Sequence, residues 1–325
     1  MVQHDAPIPA LSIENMPLPD FSAALGRSFR EYGFAILSDH GIPQILMAQA
    51  WDLTARFFAL PEAVKRRYLV SGGAGQRGYT PFGKEIAKNA QAHDLKEFWH
   101  VGRTFGHDAA LARTMPANIW PDAELPEFRA CFTRLFEAFD ALGARLLQAI
   151  ALDLGLEANW FAAPTAGGNS ILRLLHYPPI ARDAPAPSGA VRAGAHEDIN
   201  LITLLLGAEE AGLQLLDRAG QWRDIRPPVG ALVVNIGDML QRLTNHVLPS
   251  TTHRVVNPPA ERQQLSRYSM PFFLHLRPDF LIDALPGCVS AAHPRRYEAI
   301  TADDYLKERL REIGLIKDES QSAEA

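Results

Sequence analysis

Cysteine is scarce in this chain, whose 325 residues include only Cys131 and Cys288 and no Cys-x-x-Cys pair. Two cysteines form at most one disulfide, so a disulfide framework is excluded, and sparse thiols are typical of a reduced compartment. The start of the chain also lacks a basic segment followed by an apolar one, the pattern of a signal peptide. From these absences we expect a cytoplasmic protein.

An excess of basic charge is lacking as well. The 32 Lys and Arg residues are outnumbered by 37 Asp and Glu residues, and the formal net charge is -5, with both signs dispersed along the chain. There is no basic stripe for nucleic acid, no polybasic segment for a membrane surface, and no apolar run of membrane-spanning length. We therefore expect neither nucleic acid nor a membrane as a partner.

Hydrophobic residues make up 47% of the chain, enough for a large core in one or two domains. Apolar residues recur every three or four positions in the segments 20–29, 45–58 and 126–154, which predicts amphipathic helices, the first capped by Asp20. Short strands are predicted at 9–13, 33–37 and 94–101. The glycine-rich segment 71–78 lacks the Lys-Ser/Thr of a nucleotide-binding loop and is predicted to be a surface loop.

After Gly167 and Gly168 the pattern changes to short apolar segments separated by Gly, Pro and Asn. Such a pattern is typical of an antiparallel sandwich or jelly roll. The predicted strands are 171–177, 201–206, 213–216, 222–225, 231–236, 253–256 and 268–276. A last helix is predicted from Thr301, its N-cap, to Arg311, followed by a frayed tail at 317–325.

His196 and Asp198 stand two positions apart, shortly before the apolar segment 201–206. In a strand, residues i and i+2 point to the same face, so this imidazole and carboxylate could lie side by side while Glu197 turns away. They would be two of the three ligands of a facial iron site, and His253 could supply the third. The alternative is that each histidine is a hydrogen-bonded core residue, and spacing alone does not decide. A carboxylate ligand without thiolates favours iron over zinc.

Arg267 and Ser269 form a second pair two residues apart on a predicted strand. A guanidinium binds a carboxylate through two parallel hydrogen bonds, and a neighbouring hydroxyl can donate a third. A dicarboxylate anchored there could chelate a nearby metal with its other end. The alternative is a surface strand with one exposed arginine.

In their order along the chain, these residues resemble the isopenicillin N synthase-like branch of the iron(II)/2-oxoglutarate oxygenases. The resemblance rests on His196-x-Asp198, His253-Arg254-Val255, and Arg267-x-Ser269 followed by Pro271-Phe272-Phe273. It extends to Leu175-His176-Tyr177-Pro178-Pro179 and Asn235-Ile236-Gly237-Asp238, and to Gly33-Phe34, Asp39-His40-Gly41-Ile42 and Asn118-Ile119-Trp120-Pro121. The matching segments are collinear with the family and cover nearly the whole chain.

The resemblance implies an α+β fold with a double-stranded β-helix (jelly-roll) core wrapped by N-terminal helices and a C-terminal helix. Residues 1–165 are then expected to form an N-terminal helical support region. Residues 166–285 would form the jelly-roll core of the oxygenase, and residues 286–325 a C-terminal helix and tail that pack on it.

The resemblance also implies that His196, Asp198 and His253 bind Fe(II). Arg267 and Ser269 would bind the distal carboxylate of the cosubstrate 2-oxoglutarate, with Tyr177 as a further contact. The implied activity is that of a non-haem dioxygenase, which uses O2 to oxidise, and most simply to hydroxylate, a small organic substrate with release of succinate and CO2. The chain departs from many plant relatives in having Leu175 where they have Asn.

Three alternatives stay open. Within the family, some members oxidise without 2-oxoglutarate and one type fragments it to ethylene. A zinc hydrolase could use the same three ligands, but it needs a general base nearby, and Glu197 is predicted to face the other way. A non-catalytic β-helix binding module would leave the metal ligands without a purpose. The prime substrate, the type of oxidation and the oligomeric state are not determined by the sequence.

Overall fold

The structure is a computed structural model, and it describes residues 8–70, 75–84, 93–104, 115–180, 190–207 and 212–312. The predicted tail at 317–325 and residues 71–74 of the predicted surface loop lie outside the described residues. The helices are α1 (Leu18–Tyr32), α2 (Gln44–Phe58), α3 (Glu62–Lys65), α4 (Phe128–Asp153), α5 (Ala162–Thr165), α6 (Asp238–Leu243) and α7 (Ala302–Glu312). The strands are β1 (Ala10–Ser12), β2 (Phe34–Ser38), β3 (Gly78–Thr80), β4 (Glu97–Gly102), β5 (Ile171–Tyr177), β6 (Ala193–His196), β7 (Ile202–Leu206), β8 (Leu213–Leu216), β9 (Trp222–Asp224), β10 (Leu232–Ile236), β11 (His253–Val255), β12 (Arg267–Leu274), β13 (Leu281–Ile282) and β14 (Ile300–Thr301).

The longest helix, α4, buries the apolar stripe that the periodicity predicts. Its residues Leu135, Phe139, Leu142 and Leu146 are at most 3% exposed. Successive members of this stripe lie on one side of the helix because three or four residues complete about one helical turn. The predicted helix at 126–154 is thus confirmed.

The first helix begins earlier than predicted. Asp20 is not the N-cap, because α1 starts at Leu18 and Asp20 lies inside its first turn. Pro19 explains the difference: proline presets the helical φ and is tolerated in the first turn, where its missing N–H has no intrahelical acceptor. The helix ends at Gly33, which has a left-handed φ of 68° and donates its N–H to the Phe29 carbonyl.

Two antiparallel sheets form the core of the molecule. Among the described residues, eight strands make the large sheet, in the order β1-β2-β10-β7-β12-β5-β4-β3, and four make the small sheet, in the order β6-β11-β8-β9. Within these two sheets β1 and β2 pair in parallel, and the other described pairs are antiparallel. Between the sheets, Phe34, Leu175 and Val233 of the large sheet pack with Leu215 and Val255 of the small one. Two facing sheets of this kind are a jelly roll. The predicted α+β class and the double-stranded β-helix core are therefore confirmed.

Helices cover the outer face of the large sheet, as predicted. On β12, Phe272 turns outward and stacks on Phe139 of α4, with the ring centroids 5.5 Å apart. Neighbouring residues of a strand point to opposite faces, so Arg267 and Ser269 point into the space between the sheets. This alternation separates the scaffold side of β12 from its functional side.

The C-terminal helix α7 is capped as predicted, because Thr301 Oγ1 accepts the backbone N–H of Asp304 at 3.1 Å. Its Tyr305 hydroxyl donates to Asp238 at 3.3 Å, which fixes α7 against the start of α6. No helix among the described residues is both long and apolar enough to cross a membrane.

Candidate metal centre

Two imidazoles and one carboxylate meet at the open end of the space between the sheets. His196, the last residue of β6, pairs in register with His253, the first residue of β11. The Nε2 atoms of both histidines lie 3.9 Å from Oδ1 of Asp198, and the three possible ligand atoms all lie within 4.8 Å of one another. The structure thus brings together the three residues that the sequence singled out.

The way in which Asp198 reaches this position differs from the prediction. Because β6 ends at His196, Asp198 is not on the strand, and alternation along a strand is not what places it beside His196. The connection to β7 is held instead by the backbone N–H of Asp238, which donates to the Asp198 carbonyl at 2.7 Å. Glu197 stays outside the cluster and accepts a hydrogen bond from the Thr252 hydroxyl.

The carboxylate of Asp198 is oriented by two side chains of the large sheet. Thr203 Oγ1 and Asn235 Nδ2 donate to Oδ2 of Asp198 at 2.6 and 2.8 Å. Thr203 and Asn235 are register partners on β7 and β10, so the sheet itself fixes both donors. Gly237 lies two residues after Asn235, and a Cβ atom at this position would be 2.1 Å from the Asn200 carbonyl oxygen, so a side chain would collide with it. Holding Oδ2 in this way turns Oδ1 toward the imidazoles.

The protonation states suit a divalent cation. Nδ1 of His196 lies 2.7 Å from the Gly194 carbonyl and Nδ1 of His253 lies 3.1 Å from the Thr251 carbonyl, so each Nδ1 donates to a backbone oxygen and each Nε2 is the nitrogen that faces Asp198. Desolvation, with the neighbouring His253 as a second cause, lowers the pKa of His196 to about 4.

Asp198 is ionised in the same environment. Its desolvation by itself would raise the pKa, but the two imidazoles and the hydrogen bonds from Asn235 and Thr203 outweigh this and lower the pKa below its ordinary value of 3.8. Two neutral nitrogen ligands and one carboxylate oxygen fit iron(II) and leave coordination positions for other ligands.

A buried polar group lies deeper between the sheets, where β12 and β5 run side by side. Arg267 pairs with Tyr177 and Ser269 pairs with Leu175, and the polar members of these pairs are at most 3% exposed. The guanidinium carbon of Arg267 is 5.1 Å from the Tyr177 ring centroid, and Arg267 Nη1 is 3.5 Å from Ser269 Oγ. The alternative of a surface strand with an exposed arginine is therefore wrong.

A second basic group, which the sequence reasoning missed, lies on the same inner face of the large sheet, called the inner wall below. Arg173 of β5 shares the inward face with Leu175 and Tyr177, and its guanidinium carbon lies 4.3 Å from the Phe98 ring centroid and 5.3 Å from that of Phe273. The two-residue spacing Arg173-x-Leu175-x-Tyr177 was the signal that could have revealed it.

His275, just beyond β12, was missed as well. It is 7% exposed, and desolvation lowers its pKa to about 4. The charge of Asp198 opposes this shift in part, so His275 and the candidate metal centre interact electrostatically.

Comparison with known proteins agrees with this geometry. Residues 8–123 match the family model described as non-haem dioxygenase in morphine synthesis N-terminal, and residues 168–276 match that of the 2OG-Fe(II) oxygenase superfamily, where 2OG is 2-oxoglutarate. One curated relative is the 2-oxoglutarate-Fe(II) type oxidoreductase hxnY of Emericella nidulans, 35% identical over 285 residues, which are 85% of this chain and 79% of the relative.

Solved structures share both fold and sequence with the chain. A protein from Caulobacter crescentus, provisionally assigned to the 2OG-Fe(II) oxygenase family, is 52% identical with a TM-score of 0.86 over 94% of this chain and 99% of its own. A full-length Neurospora crassa protein, solved in complex with alpha-KG, is 32% identical with a TM-score of 0.83 over 95% of this chain and 98% of its own. The chain therefore belongs to the 2OG-Fe(II) oxygenase superfamily, as an oxidoreductase that uses iron(II), 2-oxoglutarate and O2.

Proposed function

We propose that His196, Asp198 and His253 hold the iron(II) with which this dioxygenase hydroxylates a small organic substrate. The observation that carries this assignment is the shared position of Asp198 Oδ1, 3.9 Å from both Nε2 atoms. Iron(II) together with 2-oxoglutarate and O2 supplies the oxidising chemistry, with succinate and CO2 as the products of the cosubstrate. His196, Asp198 and His253 would hold the ion, and the hydrogen bonds from Thr203 and Asn235 would fix the orientation of the Asp198 carboxylate.

We also propose that Arg267, Ser269 and Tyr177 hold the distal carboxylate of 2-oxoglutarate. Arg267 is 3% exposed on the inner face of the large sheet, and a carboxylate matches the donor fork of a guanidinium with two parallel hydrogen bonds. The hydroxyls of Ser269 and Tyr177 lie on the same inward-facing strand pair, where each can donate to that carboxylate. Leu175, the register partner of Ser269, contributes only apolar surface.

The proposed ligands all lie between residues 166 and 285, which supports a division into a support region at 1–165, a catalytic core at 166–285 and a C-terminal helix with tail at 286–325. A cytoplasmic location fits the two buried cysteines, Cys131 and Cys288, which are unbridged. A small-molecule substrate fits the family, since the Neurospora crassa protein has also been solved with thymine and with 5-formyluracil bound. The net charge of -5 supports neither nucleic acid nor an anionic membrane as a partner.

The test is an anaerobic titration of the metal-free protein with Fe(II) and then with 2-oxoglutarate, followed by exposure to O2. We expect one equivalent of iron, a metal-to-ligand charge-transfer band when 2-oxoglutarate binds, and succinate after O2 is admitted. Asp198→Ala should abolish turnover while the protein stays folded, and Glu197→Gln should retain the iron. Full activity in Asp198→Ala would refute the ligand assignment. A wild-type enzyme that turns over without the charge-transfer band would instead support the family oxidases that do not use 2-oxoglutarate.

A further inference from the structure

Arg173 is held at a defined position on the inner wall, between two aromatic rings. The ring centroids of Phe98 on β4 and Phe273 on β12 lie 4.3 and 5.3 Å from its guanidinium carbon. Attraction between a cation and ring faces at such distances favours a fixed position of the guanidinium.

A histidine sets the rotation of this guanidinium. His100 is the register partner of Arg173, and its Nε2 accepts the Arg173 Nε–H at 2.6 Å. The Nδ1 atom of His100 lies 2.5 Å from the Gly75 carbonyl, to which it donates, so the ring is the neutral tautomer with an acceptor at Nε2. His100 is therefore a positioning residue, which connects Arg173 to the chain segment at Gly75.

Arg173 lies nearer to the metal end of the wall than the proposed cosubstrate anchor does. Along β5, Tyr177 pairs with Arg267, whereas Arg173 is four residues away, or about 13 Å along a strand. At the other end, Phe273 pairs in register with Thr203, the residue whose hydroxyl holds Asp198 at 2.6 Å. The two arginines thus lie at different heights along the strands and are placed to bind different groups, with Arg173 closer than Arg267 to the level of Thr203.

We propose that the prime substrate of this enzyme is a carboxylic acid and that Arg173 binds its carboxylate. The planar fork of a guanidinium matches a carboxylate bidentately, and a guanidinium held in a fixed position favours an anionic group on the molecule that binds there. The Phe98 and Phe273 rings form apolar surface around the site for the rest of the molecule. This inference rests on the proposed function, because it takes the metal centre as the place of oxidation.

The test uses the full-length enzyme loaded anaerobically with Fe(II) and 2-oxoglutarate. The probes are small aromatic and aliphatic carboxylic acids, each paired with its primary amide. Binding beside the metal is measured from the change in the charge-transfer band, and turnover from probe-dependent succinate release after O2 is admitted. We expect at least one acid to change the band and stimulate turnover, and its amide to bind about tenfold to a hundredfold more weakly, the loss expected for a charged hydrogen bond.

Variants test whether the Arg173 side chain causes the preference for acids over amides. Arg173→Gln should bind acid and amide equally, and Arg173→Lys should keep part of the preference. The matched control is Arg254→Gln, since Arg254 is also half-buried and stacked, 3.9 Å from the Trp222 ring centroid on the small sheet; it should keep the full preference. His100→Phe should raise the KM for the acid with little change in kcat. His100→Gln, which retains a hydrogen-bond acceptor, should have a KM close to that of wild type.

Three results would overturn the inference: amides that bind as tightly as acids, a panel in which no acid changes the band, or a preference that survives Arg173→Gln. A weaker 2-oxoglutarate affinity in Arg173→Gln would also overturn it, since Arg173 would then contact the cosubstrate. Failure of the proposed function is seen separately, because wild type would then show no band with Fe(II) and 2-oxoglutarate before any probe is added.

Discussion

Thr203→Val tests whether the metal centre depends on the side chains that orient its carboxylate. The Thr203 hydroxyl donates to Oδ2 of Asp198 at 2.6 Å and lies in the core at 3% exposure. Valine has nearly the same shape as threonine, so the substitution removes the donor and keeps the packing against the register partner Phe273. Asn235 remains as the second donor to the same oxygen.

The magnitude follows from the charge on the acceptor. A hydrogen bond to a charged group contributes about 1.5–3 kcal/mol, and its loss corresponds to about a tenfold to hundredfold weaker binding constant. Substitution of groups that orient a metal ligand weakens metal binding by about the same factor. The pKa of Asp198 should also rise, because one of the hydrogen bonds that lower it is lost. Iron affinity should therefore fall more steeply with acidification in Thr203→Val than in wild type.

The assay is the Fe(II) dissociation constant of the metal-free protein, measured anaerobically by competition with a chromogenic chelator. Thr54→Val is the matched control, because Thr54 is fully buried on α2 and its hydroxyl has no hydrogen-bond partner among the described residues. We expect the control to bind iron like wild type and to be equally or more stable, since it removes an unsatisfied buried hydroxyl. Equal iron affinity in Thr203→Val and Thr54→Val would refute the reasoning.

Further predictions concern the cosubstrate and the scaffold. Arg267→Lys should raise the 2-oxoglutarate dissociation constant about tenfold to a hundredfold at unchanged iron content, and Ser269→Ala should raise it less; equal affinities by the charge-transfer titration would contradict the anchor. Glu97→Gln should lower the free energy of unfolding by about 1.5–3 kcal/mol in urea denaturation, as for loss of a hydrogen bond to a charged group, because the buried Lys65 loses the carboxylate 2.7 Å away and keeps that of Glu62 at 3.4 Å. The folded pKa of His275, about 4, is below the ordinary value of 6.5, so the unfolded state takes up a proton first as the pH falls. Stability should thus decline from pH 6.5 to pH 4 by about 3 kcal/mol from this group, a slope that His275→Gln should remove.

The two faces of strand β4 have different roles, as the contacts of Glu97 and Phe98 show. Glu97 accepts hydrogen bonds from Lys65, His176 and Tyr79 on the outer face of the large sheet. The next residue, Phe98, lies on the inner face beside Arg173. The sheet therefore assigns Phe98 to the side of the space between the sheets.

Much of the architecture could be predicted from local patterns. The helix α4 and the strand β5 were predicted to within a few residues, because their apolar spacing is set by the geometry of the element itself. The candidate ligands His196, Asp198 and His253 could be selected because their residue types and order match the chemistry of a facial metal site.

The local backbone at the site could not be predicted in the same way. Alternation along a strand was the predicted cause of the pairing of His196 with Asp198, yet β6 ends at His196 and long-range hydrogen bonds from Thr203, Asn235 and Asp238 place the carboxylate. Those donors are distant along the chain, and no local pattern encodes which of them will meet Asp198.

The residue types and the spacing of the candidate site, His196, Asp198, His253, Arg267 and Ser269, are properties of the chain and could be recognised before the fold was known. The environment of these groups comes from the fold, which sets the backbone carbonyl that each imidazole contacts and the residues that meet across β4, β5 and β12. The grouping of Arg173 with its two aromatic neighbours depends on strand register and sheet order. Register and sheet order come from the packing of the whole core, so they follow from the fold and not from any one segment.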